Sequence, residues 1–165
     1  MIILDCETYA NYFLLSMLDT DSGKIKDFEL FEGQDFDSNT VTAILKKHTT
    51  IGFNSLNYDL PVIVSALRGD NNTQIKQLSD DIINAPKVWP VLKKHKINIP
   101  QGFDHIDIMP IPIGQASLKI YGGRLHAPKM QDLPIEPSAL ISPFHRKTLR
   151  LYCHNDLQVT RILYE

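Results

Sequence analysis

Met1-Ile2-Ile3-Leu4-Asp5-Cys6-Glu7-Thr8 is the stretch on which the fold turns. Four apolar residues followed by acid, thiol and acid read as a buried strand whose C-terminal end becomes polar. Side chains alternate across a strand, so Asp5 and Glu7 point to one face and Cys6 to the other. Two carboxylates on one face repel unless something cationic sits between them, and hard divalent ions such as Mg²⁺ or Mn²⁺ prefer oxygen ligands of this kind. The same triplet also fits a solvated strand end, because acidic side chains are mostly exposed.

Outward from this strand, residues 12–18 read as a second, aromatic-rich strand. Asp19-Thr20-Asp21-Ser22-Gly23 is a turn cluster, and residues 24–31 alternate like a third strand, which completes an antiparallel meander. Asp37-Ser38-Asn39 supplies helix-start residues ahead of Val41, Ile44 and Leu45 at helical spacing. Residues 49–53 form a short strand, and residues 59–67 a helix with Pro61 in its first turn, where proline is tolerated. Further helices are expected over 73–84 and 88–96, a fifth strand over 105–109 and a short helix over 117–121. Residues 122–143 read as a loop region, and Pro143 opens a last helix. The pattern is a mixed α/β domain with a central sheet of about five strands flanked by helices. The chain is still helical at Ile162-Leu163-Tyr164-Glu165, which suggests one domain, residues 1–165, cut from a longer polypeptide.

A hydrophobic fraction of 43% and a charged fraction of 22% are those of a globular chain that can bury a core, which excludes a disordered one. No apolar run approaches the roughly 20 residues that span a bilayer, and no basic segment precedes the apolar start, so a cytoplasmic location is expected. Cys6 and Cys153 are too few for a disulfide framework or a zinc site and read as buried thiols. Residues 1–82 hold 13 acids and 6 Lys/Arg, whereas residues 83–165 hold 6 acids and 11 Lys/Arg. Such a split suits a cation-holding region beside one that meets phosphates. Trp89, with Val88 and Leu92, reads as core. His95, His105, His126 and His145 lack paired metal-ligand spacing.

Two further segments carry candidate chemistry. Gly52-Phe53-Asn54-Ser55-Leu56-Asn57-Tyr58-Asp59 places an acid near a helix N-terminus, where negative charge is favoured. Asp59 there suits a helix cap as well as a ligand. In Tyr152-Cys153-His154-Asn155-Asp156 the phenol and the carboxylate are four apart and share one helix face.

In this order the three segments resemble the DEDD exonucleases of the ribonuclease H-like superfamily, in the subclass with a tyrosine in its third motif. Asp5-Cys6-Glu7 matches D-x-E; Asn54, Tyr58 and Asp59 match N-x-x-x-[FY]-D as found in proofreading domains of DNA polymerases; Tyr152 and Asp156 match Y-x-x-x-D. Ser117-Leu118-Lys119 with Tyr121-Gly122 looks more loosely like the region ahead of the third motif in family B proofreading domains. The resemblance spans residues 1–160. It implies a ribonuclease H-like fold and a metal-dependent 3′→5′ exonuclease acting on single-stranded or frayed DNA 3′ ends, with nucleoside 5′-monophosphates as products. It implies two divalent cations, Mg²⁺ or Mn²⁺, roughly 3.5–4 Å apart. Asp5 would bridge them, Glu7 and Asp156 would share one, and Asp59 would hold the other through water. Tyr152 would orient the attacking water. Phe53 and Asn54 would touch the terminal nucleotide, Leu56 or Tyr58 would wedge or stack against bases, and Lys119 and Arg124, with Lys129, Arg146, Lys147 and Arg150, would meet the phosphate backbone. The setting it implies is the proofreading domain of a replicative, phage-type DNA polymerase in the same polypeptide. The rivals are a stand-alone RNA or DNA processing exonuclease and a catalytically silent nucleic-acid-binding module.

Overall fold

β1 (Ile2–Tyr9) is the middle strand of a five-stranded mixed sheet ordered β3-β2-β1-β4-β5. The computed structural model describes residues 1–109, 117–124, 127 and 131–165. β2 (Tyr12–Asp19) pairs antiparallel along the whole of β1, from Ile2 opposite Asp19 to Tyr9 opposite Tyr12, and β3 (Ile25–Leu30) continues the meander. β4 (Thr50–Gly52) and β5 (His105–Asp107) extend the other side in parallel. β1 meets β4 only at Ile2 and Ile3, so the polar end of β1 runs on with one edge unpaired by β4. The helices are α1 (Ser38–Lys47), α2 (Asp59–Leu67), α3 (Asn72–Asn84), α4 (Val88–Lys94), α5 (Leu118–Arg124) and α6 (Pro143–Tyr164).

The period of two in β1 divides the core. Ile2, Leu4 and Cys6 pack with Phe13, Leu15 and Met17 of β2 against Val41 and Leu45 of α1 and Leu60 and Ile63 of α2. Residues of the opposite parity, Ile3 and Tyr9, face α6, where Leu149, Cys153 and Leu157 form a fully buried stripe at four-residue spacing. Asp5 and Glu7 share that parity, so the strand aims them at α6. The helices start where short polar side chains meet orphan amides. Asp37 accepts from Thr40 N–H ahead of α1, and Asn71 with Gln74 forms a capping box on α3. Ser142, followed by Pro143, caps α6.

Two polar contacts also fix α6 against β3. Arg146 donates to both oxygens of buried Glu29, at 3.1 and 2.6 Å, and Tyr12 Oη–H donates to Glu29 at 2.6 Å. His154 Nε2 meets Asp27 at 2.8 Å. Arg146, expected on the phosphate backbone, is therefore committed to the fold.

The expected elements all form, with shifted ends. β4 and β5 stop at Gly52 and Asp107, ahead of the expected 53 and 109, and α4 ends at Lys94 because Lys96 takes a left-handed φ of +54°. The helix expected over 117–121 runs instead over Leu118–Arg124. Trp89 is a correction: it is 70% exposed, not core. α4 turns Val88, Val91 and Leu92 toward Leu78, Ile82 and Ile97, which leaves Trp89 on the outer side. Among the described residues no helix is long and apolar enough to cross a membrane.

Replacing Arg146 by alanine leaves Glu29 with the Tyr12 hydroxyl and Arg150, whose Nη1 lies 3.6 Å away. Breaking a buried pair on one side costs several kcal/mol; Arg146 is partly exposed, so we expect a loss of about 2 kcal/mol in urea unfolding. An unchanged midpoint would remove this contact from the forces that seat α6.

Candidate metal centre

Cys6 shows how the site is assembled. Even-numbered amides of β1 point toward the β4 side, as Ile2 N–H does in donating to Thr49 O, yet β4 has already diverged at Cys6. Cys6 N–H is satisfied instead by Asp59 Oδ1 at 3.0 Å. Asp59 is the first residue of α2, behind an N-cap position held by Tyr58. Its carboxylate is thus turned to β1, in addition to sitting at a helix N-terminus.

Asp156 approaches from the other side. The stripe Leu149–Cys153–Leu157 presses α6 on the sheet, and Tyr152 and Asp156 lie one position before the last two members, at the edge of that contact. Tyr152 lies close enough to the Asp156 carboxylate for each to shift the other's proton affinity. Cys153 Sγ–H donates to Asp5 Oδ2 at 3.2 Å, so a thiol braces the first acid from beneath. Both cysteines are free and buried.

Asp5, Glu7 and Asp156 come together: one carboxylate oxygen from each lies within 4.8 Å of the others. Oxygens on opposite sides of one Mg²⁺, each at about 2.1 Å, are about 4.2 Å apart, so small side-chain adjustments suit this donor set to a hard divalent cation. Asp59 stands outside this trio but lines the same cleft as Asp5 and Asp156.

The electrostatics are those of unneutralised acids. Burial, then Asp59, Glu7 and Asp156, holds the Asp5 carboxyl well above the usual carboxylate range. Burial, then Asp156 and Asp59, raises Glu7 to about 8. Burial raises Asp59 to about 7 against the pull of its hydrogen bonds, and the charge of Asp107 adds to the rise. Asp156 is raised by burial and relieved by Tyr152, Asn155 and the Lys119 charge. Tyr152 is pushed further above the phenol range by burial and the acids, so it stays protonated at neutral pH.

The cleft has a volume of about 470 Å³ and is lined by Asp5, Asp59, Asp156, Cys6, Phe53, Asn54, Tyr58, Met109, Ser117 and Leu118, while Glu7 borders a separate, smaller depression. Phe53 packs edge-on against Tyr121 of α5, with ring centroids 6.0 Å apart. Tyr58 presents its ring while its hydroxyl is tied to Ser79 at 2.7 Å and Thr8 at 3.0 Å. Leu56 is exposed beside the cleft and does not line it. Lys119 pairs with Asp132 and still acts on Asp156. The side chain of Arg124, and Lys129 and His126, lie outside the described residues.

One contributor belongs to none of the three motifs. Asp107, at the C-terminal end of β5, accepts Asn54 N–H and Leu56 N–H at 2.9 Å each and Met109 N–H at 3.1 Å. It holds the β4–α2 loop in a shape that puts Asn54 at a left-handed φ of +56°, which costs about 1 kcal/mol or more in a non-glycine residue. An acid ending a parallel strand, where α/β sheets place their sites, was the available cue.

No family model, no curated protein and no solved structure matches the chain.

Asp5, Glu7 and Asp59 are raised above their unfolded values, so the folded state binds the extra protons. Their contribution to stability is present at low pH and is lost as pH rises from about 4.5 through about 8. His105, lowered by burial, works the other way as a single group. We expect thermal melts of EDTA-treated protein to fall between pH 5 and 8, Mn²⁺ to restore them most at pH 8, and Glu7→Gln to flatten both effects. Stability that rises across this window and ignores Mn²⁺ would contradict the site.

Proposed function

We propose that the chain is a 3′→5′ exonuclease domain of ribonuclease H-like type, which removes nucleotides from a DNA 3′ end with the help of two divalent cations, Mg²⁺ or Mn²⁺. The reading is carried by one observation: Asp5 and Glu7 from β1 and Asp156 from α6 converge to within 4.8 Å although nearly the whole chain separates them in sequence. The three-stranded meander continued by two parallel strands agrees with the fold proposed.

In this reading Asp5, Glu7 and Asp156 hold one cation, and Asp5 with Asp59 holds the other. Bound there, the cations supply an activated water at neutral pH and neutralise charge on the oxygens of the scissile phosphate. Hydrolysis forms a bond from the water oxygen to the terminal phosphorus and breaks the bond to the 3′-oxygen, releasing a nucleoside 5′-monophosphate and a new 3′-hydroxyl. Tyr152, a neutral phenol beside Asp156, orients the water and does not remove its proton. The cleft volume suits one nucleotide. Phe53 and Tyr58 offer ring faces, Asn54 an amide, and Lys119 a charge for phosphate. Service to a replicative polymerase as its proofreading domain is part of the proposal.

A 5′-labelled oligonucleotide is expected to shorten from its 3′ end in Mn²⁺ and to stay intact in EDTA. Asp5→Ala and Asp156→Ala should lower the rate at least about 10³-fold and Tyr152→Phe about 10²-fold, as loss of metal ligands and of a positioning group do. An Asp5→Ala protein that digests as fast as the parent removes the site. A parent that binds Mn²⁺ and oligonucleotide without cutting is the silent module instead.

A further inference from the structure

Trp89 is the chain's single tryptophan and stands 70% exposed on α4, a position that neither core packing nor the acidic site explains. Lys93 Nζ lies 5.5 Å from the centre of its ring. Lys87, Lys93 and Lys96, on or flanking α4, are exposed and make no ion pair among the described residues. Asp81, which lines the depression beside α4, is already engaged by Lys94 at 2.8 Å and His95 at 2.7 Å. Residues 82–96 contain no other acid. The α4 face therefore presents a flat aromatic surface inside uncompensated positive charge.

α3 packs on both β1 and α4 and helps to line two surface depressions. One, of about 120 Å³, is lined by Glu7, Thr8, Tyr58, Ser79 and Ile83. A second, of about 260 Å³, is lined by Asp81 and Asn84 of α3 and by Pro90, Val91 and Lys94 of α4. Ile83 is 66% exposed.

We propose that α4 is a second contact for single-stranded nucleic acid, in which a base stacks on Trp89 and Lys87, Lys93 and Lys96 hold the flanking phosphates. A strand held at the acids reaches it across α3, which helps to line both depressions. An indole among lysines matches the alternation of base faces and phosphates along a single strand, whereas an anionic membrane calls for an apolar helix face and finds Lys87, Lys93 and Lys94 there instead. The inference deepens the nuclease reading by naming the course of the strand, and it rests on that reading only for the strand's source.

Tryptophan fluorescence tests it directly, in EDTA so that binding is read without turnover. A long oligothymidylate is expected to quench Trp89 saturably, while a thymidylate dimer and inorganic polyphosphate do not. Lys93→Ala should weaken binding and reduce its salt dependence by about one counterion. In turnover assays with Mn²⁺, Trp89→Ala should raise KM for the long oligomer about tenfold, the scale of one lost stacking contact, and leave the dimer unaffected. Absent quenching overturns the proposal, as does a response to anionic phosphatidylserine vesicles in place of DNA. Quenching without turnover sinks the nuclease reading and leaves the α4 contact standing; turnover with unquenched Trp89 does the reverse.

Discussion

Mutual repulsion of carboxylates in a poorly hydrated cleft is the constraint around which this molecule is arranged. On top of a desolvation penalty on all four acids, Asp59, Glu7 and Asp156 raise the proton affinity of Asp5, and Asp156 and Asp59 raise that of Glu7. Such a cluster is stable only when protons or cations share it. The fold tolerates it by fixing each acid from a different direction: strand alternation for Asp5 and Glu7, a backbone amide for Asp59, and a docked helix for Asp156. The Cys153 thiol donates to Asp5, and the Tyr152 phenol stands beside Asp156, without either adding a charge that would neutralise the acids. An Arg or Lys in either position would satisfy the acids and remove their need for a metal.

The site lies where β1 parts from β4. Because pairing ends at Ile3, the amide of Cys6 needs another acceptor, and Asp59 provides it. The same divergence opens the cleft. Its floor is β1, one wall is the loop that Asp107 braces, and the other is α6. Ligand sites in open α/β sheets sit at such points beyond the strand ends for this reason: backbone groups are exposed there and helices start there. The strain at Asn54 is held by two hydrogen bonds from its loop to one carboxylate, which keeps Phe53 and Asn54 directed at the cleft.

Charge has been divided between two tasks. Arg146, His154 and, at longer range, Arg150 pair with Glu29 and Asp27 and seat α6 on the meander. They are structural despite their place in the basic half of the chain. The lysines of residues 87–96 are free of that duty apart from Lys94. Net charge by segment therefore says little about which cations meet a ligand; pairing within the fold decides it.

Composition and periodicity were enough for the elements and their order, because strand alternation, turn residues and caps act locally; β1, α1 with its Asp37 cap and α6 opened by Pro143 are cases. The shared face of Asp5 and Glu7, and of Tyr152 and Asp156, follows from the same local geometry. Convergence of those two pairs did not follow, since it depends on which face of the sheet α6 covers, a matter of packing between distant segments. Asp107 and Trp89 lay beyond local reasoning for the same cause. An acid after two apolar-flanked residues and an indole beside Val88 look ordinary until the neighbouring strand ends and the partner helix is filled. Hydrogen bonding and burial across the chain, not residue type, assign what each of them does.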